Sequence, residues 1–445
     1  MDSEALSKVF KKIRVNAEFE LFSSQDSFML VNFKGADAVD AETSIHSEVR
    51  VKCIRSGKFA SVISGTNSEK EMLGLLKKAY LLAGSSGSDS DGQKSFSSAI
   101  ANTKIKKSIS ESEENFGGAI KRISSHVSKS GMNQLILSSL RYGKRSIAVA
   151  NTNGSSADLS TPYIRLSTTA VLDGNDERTT TTVTQQCKDA HSLNVESLID
   201  SAISNANVVR NAKPINSFQG AVLLSENVAA SLLRSTVHAL CANSIFSGNS
   251  FLKHTAIMAG HNVASPIVNV YENNSLKDSP FSRSFDDELS ATSSKKLIEK
   301  GKVMSILHNI YTAEKTNVKP SGNMFYSVQP PSGAAGYGNI FTTNAILKSS
   351  GVSYDKEKLI GSIKEGIYIL GIFGSINSSG SRFSLKANGY YVKNGSIIHP
   401  VKNVTVNGDL PSILNKISMI GRKKERIIDV VVPMLLIDDI DIHGR

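Results

Sequence analysis

The stretch LLRSTVHALCAN, residues 232–243, places His238 and Cys241 three positions apart. Imidazole and thiolate are favoured zinc ligands, and metal-assisted hydrolysis needs three protein ligands with one position open for water. Positions 229, 232, 233, 236, 237 and 240 carry the i, i+3, i+4, i+7 stripe of a helix packed on a core. On such a helix Cys241 extends the Leu233–Val237 row into the buried stripe. His238 falls with Ser231, Arg234 and Ser235 on the polar face. The spacing therefore predicts that the two candidate ligands diverge.

Three further groups could carry chemistry. Asp286, Asp287 and Glu288 offer a general acid/base pair or a hard-metal site, but consecutive residues of a strand point to opposite faces. Capping, turn formation or subunit contact is the expectation for them. PPSGAAGYG (330–338) is glycine-rich without the Lys-Ser/Thr of a phosphate-binding loop, and reads as a flexible loop of the kind that borders clefts. His254 and His261 are two helical turns apart and are expected to be hydrogen-bonded or exposed rather than ligating. Cys53, Cys187 and Cys241 are odd in number and lack CxxC spacing, which predicts buried, reduced thiols.

The elements that must position these groups belong to a globular chain of 445 residues, long enough for two or three cores. With 40% hydrophobic and 20% charged residues, 32 glycines and no tryptophan, collagenous, coiled-coil and wholly disordered classes are excluded. The first twenty residues have no apolar h-region, and GIYILGIFG (366–374) and VVVPMLLI (430–437) are far shorter than a spanning helix. A soluble, cytoplasmic protein is expected. The net charge of +11 could attract nucleic acid or an acidic partner, but the basic runs KIKK (104–107) and GRKKER (421–426) are short and carry no interleaved aromatics. Solvated loops are the stronger reading of both, and nucleic-acid binding is disfavoured.

Alternating runs from Glu18 to Gly65 predict half-buried antiparallel strands, followed by a helix over 68–84 and a Ser/Gly/Asp-rich loop over 85–98. A second strand-rich stretch turns at Asn-Gly in 147–154, and 195–212 has the helical period. Pro214 and Gly220 mark a boundary, giving domains 1–213 and 214–445. Beyond it lie a short strand at 221–225, the helix that carries His238, many Gly- and Asn-punctuated strands, and amphipathic helices near 355–365 and 411–420. The fold class is α+β: an N-terminal antiparallel sheet with packed helices, then a C-terminal β-rich, barrel-like domain with a few helices.

Several ordered segments resemble the TldD/PmbA family of intracellular metallopeptidase assemblies, once called modulators of DNA gyrase. EVRVKCIRSGKFASVISGTNSEKEMLGLLKKAYLLAG (48–84) is similar to the family's strand, turn and helix. SRSFDDELSATSSKKLIEKGKVMSILHNIYTAEK (282–315) resembles its F-D-D-E segment, and PSGNM (320–324), with Gly322 and Asn323, its S-T-G-N motif. GIYILGIFGSINSSGSRFSLKANGYYVKNGSIIHPVKNVTVNG (366–408) and the ending VVPMLLIDDIDIHG resemble its C-terminal strands. Leu289 stands where the family has a glycine after the F-D-D-E acids.

The resemblance implies more than the spacing does. TldD proteins carry H-E-x-x-x-H on the helix after the first strand of the second domain, with a C-terminal cysteine completing the zinc ligands. The matching positions here are Arg234, Ser235 and Ala239, with His238 one residue out of register and no cysteine after Cys241. That departure is the mark of PmbA, also called TldE, which by family resemblance pairs with a TldD-type subunit. The resemblance thus implies a non-zinc TldE/PmbA-like subunit of a peptidase that degrades or processes short or unfolded peptides, with no catalytic residue and no metal in this chain. Zinc is expected in a TldD-type paralogue, the partner in a heteromer; a homodimer is the alternative for the chain in isolation. Asp286, Asp287, Glu288, Gly322 and Asn323 are expected to lie at the cleft or at a subunit contact. The alternatives are a nucleic-acid-associated, gyrase-modulator-like binding protein and an autonomous metal-dependent hydrolase built on His238 and Cys241.

Overall fold

The computed structural model describes residues 2–65, 68–85, 95–96, 103–105, 113–129, 135–173, 178–253, 260–326 and 339–444. The loop 330–338, His254, most of 85–98 and the last two residues of KIKK lie outside them.

The first half is built from helix α1 (Ser3–Phe10), strands β1 (Glu18–Lys34), β2 (Asp37–Arg55) and β3 (Lys58–Ser64), and helix α2 (Glu69–Ser85). It continues through β4 (Thr103–Ile105), α3 (Glu113–Lys129), β5 (Leu135–Asn151), β6 (Ser156–Asp173), β7 (Arg178–Cys187) and α4 (Val195–Arg210). The short alternating runs between Glu18 and Gly65 thus merge into two long antiparallel strands and a third, shorter one. β1 pairs β2 from Glu18↔Ile54 to Lys34↔Asp37, and Gly35 takes the left-handed φ of 65° at the turn. The sheet order is β3-β2-β1-β5-β6-β4, with β7 added on β6; β4 pairs with β6 in parallel, and the other pairings are antiparallel among the described residues.

Strand period decides how this sheet is covered. Odd-numbered β1 residues Phe19, Leu21, Val31 and Phe33 point to the helices, packing with Leu6 and Met72 at one end and with Ile123 and Ile199 at the other. The even-numbered residues point the opposite way, and there Phe22 meets the second half of the chain.

That second half contains β8 (Phe218–Leu224), α5 (Glu226–Ala239), α6 (Ala242–Phe246), β9 (Val268–Glu272), β10 (Lys295–Glu299), β11 (Lys302–Val303), α7 (Ile310–Thr316), β12 (Met324–Phe325), β13 (Asn339–Ile340) and β14 (Ala345–Ser349). It ends with α8 (Lys356–Gly361), β15 (Glu365–Phe373), β16 (Phe383–Lys393), β17 (Ser396–Gly408), α9 (Leu410–Asn415), β18 (Ile417–Ile427) and β19 (Val430–His443). The large sheet runs β11-β10-β9-β14-β19-β17-β16-β15-β8, and β8 also pairs β19. This last pairing closes β19-β17-β16-β15-β8 into a ring filled by Val222, Leu224, Ile369, Leu385, Val406 and Ile440. The barrel-like character read from the sequence is therefore present, on a sheet that carries parallel pairs at β8–β15 and β14–β19.

The structure corrects two element readings. The helix expected near 411–420 stops at Asn415, because Ile417 and Ile420 are buried as strand residues facing β19. The helix carrying His238 stops at Ala239. Leu240 caps it, and Cys241 is extended (φ −83°, ψ 127°) as the N-cap of the short α6.

Candidate functional site

Helix α5 follows β8 directly, with Ser225 at its N-cap, Glu226 in its first turn and Ala229, Leu232, Leu233 and Val237 buried in the core. Its polar face presents Arg234, whose Nε and Nη2 donate to Asp429 Oδ1 at 2.9 and 2.6 Å while Nη2 also reaches the Ile427 carbonyl at 2.6 Å. These partners flank the β18–β19 turn, where Ile428 is held at φ 62°, a left-handed conformation costly for a β-branched residue. Arg234 thus clamps a strained turn. Ser235 donates to the Ile376 carbonyl at 2.9 Å, and Ala239 is fully buried. A permanently protonated guanidinium and a methyl group are not metal donors, and this serine hydroxyl is committed to a carbonyl.

His238 lies on the exposed side of α5, its Nδ1 2.8 Å from Ser378 Oγ, with Ser244 Oγ 3.2 Å from Nε2. Partial desolvation between these serines holds its pKa below the ordinary histidine value. Cys241 instead is fully buried, its thiol near the carbonyls of Val237 and Ile340, and burial first, then Glu272, pushes its pKa up. The divergence expected from the helical period is realised, though Cys241 reaches the core from beyond the helix end. Among the described residues no group of three or more His, Cys, Asp or Glu side chains is placed to hold a metal ion. His261 is exposed.

The acidic run lies inside the chain, between the two sheets, rather than at a cleft or subunit surface. Asp286 Oδ1 accepts from the amides of Glu288 (3.0 Å) and Ser290 (2.8 Å), and Oδ2 from that of Met324 (3.0 Å). Asp287 takes Arg283 at 2.5 Å and the Tyr326 amide at 2.6 Å. Glu288 accepts Lys52 Nζ at 2.7 Å with one oxygen and the amide of Ile310, at the start of α7, at 2.9 Å with the other. Three neighbouring carboxylates thus hold three different segments: the run is a turn rather than a strand, closed by the Leu289 amide on the Asp286 carbonyl at 3.1 Å, and the turn sends each side chain in its own direction. Asp286 is pushed up to about 8 by burial and by Glu288, against the pull of its three amide donors.

Gly322 and Asn323 belong to the same buried region. Gly322 has φ +72°, and a Cβ there would stand 2.1 Å from the Ala291 carbonyl oxygen. Asn323 Nδ2 donates to both oxygens of Glu272 (2.9 and 3.0 Å), and its Oδ1 accepts from Lys295 at 2.8 Å.

Sequence reasoning passed over the buried Glu20, Lys52, Arg283 and Glu272 and the partly buried Lys295, the partners in this network. Glu20 and Lys52 occupy the polar positions of alternating strands, which read as a solvent face. The second half of the chain covers that face: Phe22, Ile147 and Val149 pack with Phe285 and Leu289, and the Phe22 and Tyr326 rings meet edge-on at 5.0 Å. Lys52 lies 3.4 Å from Glu20 Oε1, and among the described residues no closer donor reaches either Glu20 oxygen; burial pushes this carboxyl up to about 7 against the pull of Lys52.

An open groove lies at the N-terminal end of α5. Thr180–Thr184 of β7 and Leu370–Phe373 of β15 line a cavity of about 340 Å³, and Asn205, Asn227 and Leu370 are shared with a neighbouring one of about 890 Å³. Among the described residues β7 pairs only with β6, so its outer edge has no strand partner; β15 pairs with β8 only as far as Ile369. The basic run 421–426 is largely engaged: Arg422 lies 3.3 Å from Asp355, Lys423 2.6 Å from Glu425, and Arg426 reaches the Asp278 carbonyl at 3.0 Å.

Comparison with known proteins agrees with this architecture. A family model described as the PmbA/TldA metallopeptidase C-terminal domain matches residues 218–444, more than half of the chain. The metalloprotease PmbA homolog of Buchnera aphidicola (subsp. Acyrthosiphon pisum) is 22% identical over 235 residues, 53% of this chain and 48% of that protein. Metalloprotease MJ0996 of Methanocaldococcus jannaschii is 23% identical over 437 residues, 94% of this chain and 93% of its own. The match thus spans about half the length of the first relative and nearly all of the second. TldE from Thermococcus kodakarensis superimposes with a TM-score of 0.82 at 15% identity, covering 99% of this chain and 100% of that one. A Thermotoga maritima protein whose name links it to DNA gyrase does so at 0.80 and 20% identity, covering 99% of both chains. At such identities the structural likeness speaks for the fold alone, but with the family match it closes the question of kinship: the chain belongs to the PmbA/TldD metallopeptidase family.

Proposed function

We propose that this chain is the non-zinc, TldE/PmbA-like subunit of a TldD/TldE-type peptidase, acting with a zinc-bearing TldD-type paralogue on short or unfolded peptides in the cytoplasm. The observation that carries this reading is Arg234: the position matched to the family's first zinc-ligating histidine holds a guanidinium bound to Asp429. A cation brought there would face a permanent positive charge. Ser235 and Ala239, at the other two matched positions, supply neither the water-activating carboxylate nor a ligand. The residues do not fit a zinc site, so no catalytic step is assigned to this chain. Its part is to wall the cleft and hold an extended peptide, for which the open edge of β7 beside Leu370–Phe373 offers main-chain hydrogen bonds.

The test is elemental analysis and peptide hydrolysis by the chain alone and with its TldD-type paralogue. The chain alone is expected to carry no stoichiometric zinc and to cleave nothing, while the paralogue is expected to need it for full activity. Equal paralogue activity with and without this chain removes the subunit role. One zinc per isolated chain, lost together with hydrolase activity in His238→Ala/Cys241→Ala, promotes the autonomous enzyme instead.

A further inference from the structure

Among the described residues, the second half of the chain covers the even-numbered face of β1 near Glu20 and Phe22; farther along, the same face of the first sheet is half-exposed. At its centre Arg141 of β5 stands directly opposite Arg165 of β6. Like charges directly opposed on one sheet face destabilise it, so such a pair calls for a counter-charge. Among the described residues neither arginine forms a salt bridge or a side-chain hydrogen bond, in contrast to Arg145 nearby, which lies 3.5 Å from Asp26. The lack of a counter-charge registers on Arg165, whose pKa is lowered by burial and then by Arg141.

The pair is nevertheless built rather than adrift. The Arg141 guanidinium lies 4.0 Å over the Phe28 ring, and Phe28 and Tyr163 are 4% and 5% exposed beneath it. Tyr163 is fixed by donating to Asp26 at 2.9 Å. Stacking on a ring occupies the face of a guanidinium and leaves its in-plane N–H donors free for an oxygen ligand. Alongside, toward β7, the face continues as neutral hydroxyls, with Ser167 and Thr184 2.9 Å apart and Thr169 and Thr182 2.8 Å apart.

We infer that Arg141 and Arg165 form a carboxylate-recognition site for an extended polypeptide, binding either its C-terminal carboxylate or an acidic side chain. This rests on the peptide-handling role proposed above and specifies what such a peptide must carry. Two features favour one carboxylate over a nucleic-acid backbone. The rings on this face are buried under the arginines, unavailable for base stacking. Toward β2 the face carries Asp40 and Glu42, which would repel a run of phosphates but leave room for a single anion.

The experiment uses the full chain and fluorescein-labelled ten-residue peptides. One is neutral with a free C-terminus, one is its C-terminal amide, and one is the amide with a single internal Asp; a duplex oligonucleotide is the fourth probe. The free-acid peptide, the Asp peptide or both should bind about tenfold tighter than the neutral amide. Which of the two does so identifies the source of the carboxylate. Arg141→Gln/Arg165→Gln should abolish that difference, leave affinity for the neutral amide unchanged, and hold or raise thermal stability because a repulsion is removed. Equal binding of all three peptides by both proteins overturns this inference while leaving the peptide-handling reading intact. Failure of every peptide to bind overturns both. Salt-sensitive duplex binding lost in the double variant reassigns the face to phosphate, and a clear loss of stability reassigns the pair to the fold.

Discussion

Glu20 and Lys52 show what a single buried position can decide. Glu20 is 1% exposed, and burial moves its carboxyl from 4.5 to about 7 against the opposing pull of Lys52, which is committed to Glu288 at 2.7 Å. Between those two pH values the folded chain keeps a proton that the unfolded chain has released. Stability therefore falls as pH rises from 4.5 through 7 and stays lower above it. Glu20→Gln removes this titration. The variant should match the native protein near pH 4.5 and exceed it at pH 8 by on the order of 3 kcal/mol, at about 1.4 kcal/mol per pH unit. Urea denaturation of both proteins across that range checks it; parallel stability curves would mean that Glu20 is ionised and matched by Lys52.

At the scale of elements, the segment after the acidic run shows a local rule overruled by packing. Leu289 adopts φ 59°, the conformation suited to the glycine that the family resemblance places there, and it is fully buried against the first sheet. Leu289→Gly would relieve about 1–2 kcal/mol of backbone cost but lose about 2–5 kcal/mol of side-chain burial and packing. A net loss of up to about 4 kcal/mol is expected in thermal or chemical denaturation. A gain would mean that strain outweighs the contacts with Phe22, Ile147 and Val149. The Arg234 clamp on the Ile428 turn is the same arrangement seen from the other side, with an ionic contact holding a backbone conformation the turn residue disfavours.

For the whole molecule, the face that joins the two sheets combines the Phe22–Tyr326 contact with the Lys52–Glu288 pair. A shared apolar and ionic boundary of this kind couples the unfolding of the two halves, so a single calorimetric transition is expected for the native protein. Lys52→Met leaves Glu288 buried without its cation and should cost about 3–5 kcal/mol. Its calorimetric trace should move to lower temperature and separate into two transitions. A single unshifted transition would show that the boundary does not couple the halves.

Local periodicity was enough to determine much of this protein from sequence: the strands of the first sheet, the helix after β3, the helix carrying Arg234 and the polar-face position of His238 on it. Each of these depends on which side of one element a residue occupies, and periods of 2 and 3.6 record that directly. The tertiary structure alone decided the rest. Alternation marks Glu20, Lys52, Arg141 and Arg165 only as residues of a polar face; whether that face is then covered by another part of the chain is not recorded in the strand. Lys52 and Glu288 are 236 residues apart, and the Arg141–Arg165 opposition is set by strand register. The docking of the two halves places one end of this face in a desolvated core, where a carboxyl titrates near neutrality, and leaves the other end half-exposed, where two guanidiniums have no ionic partner among the described residues.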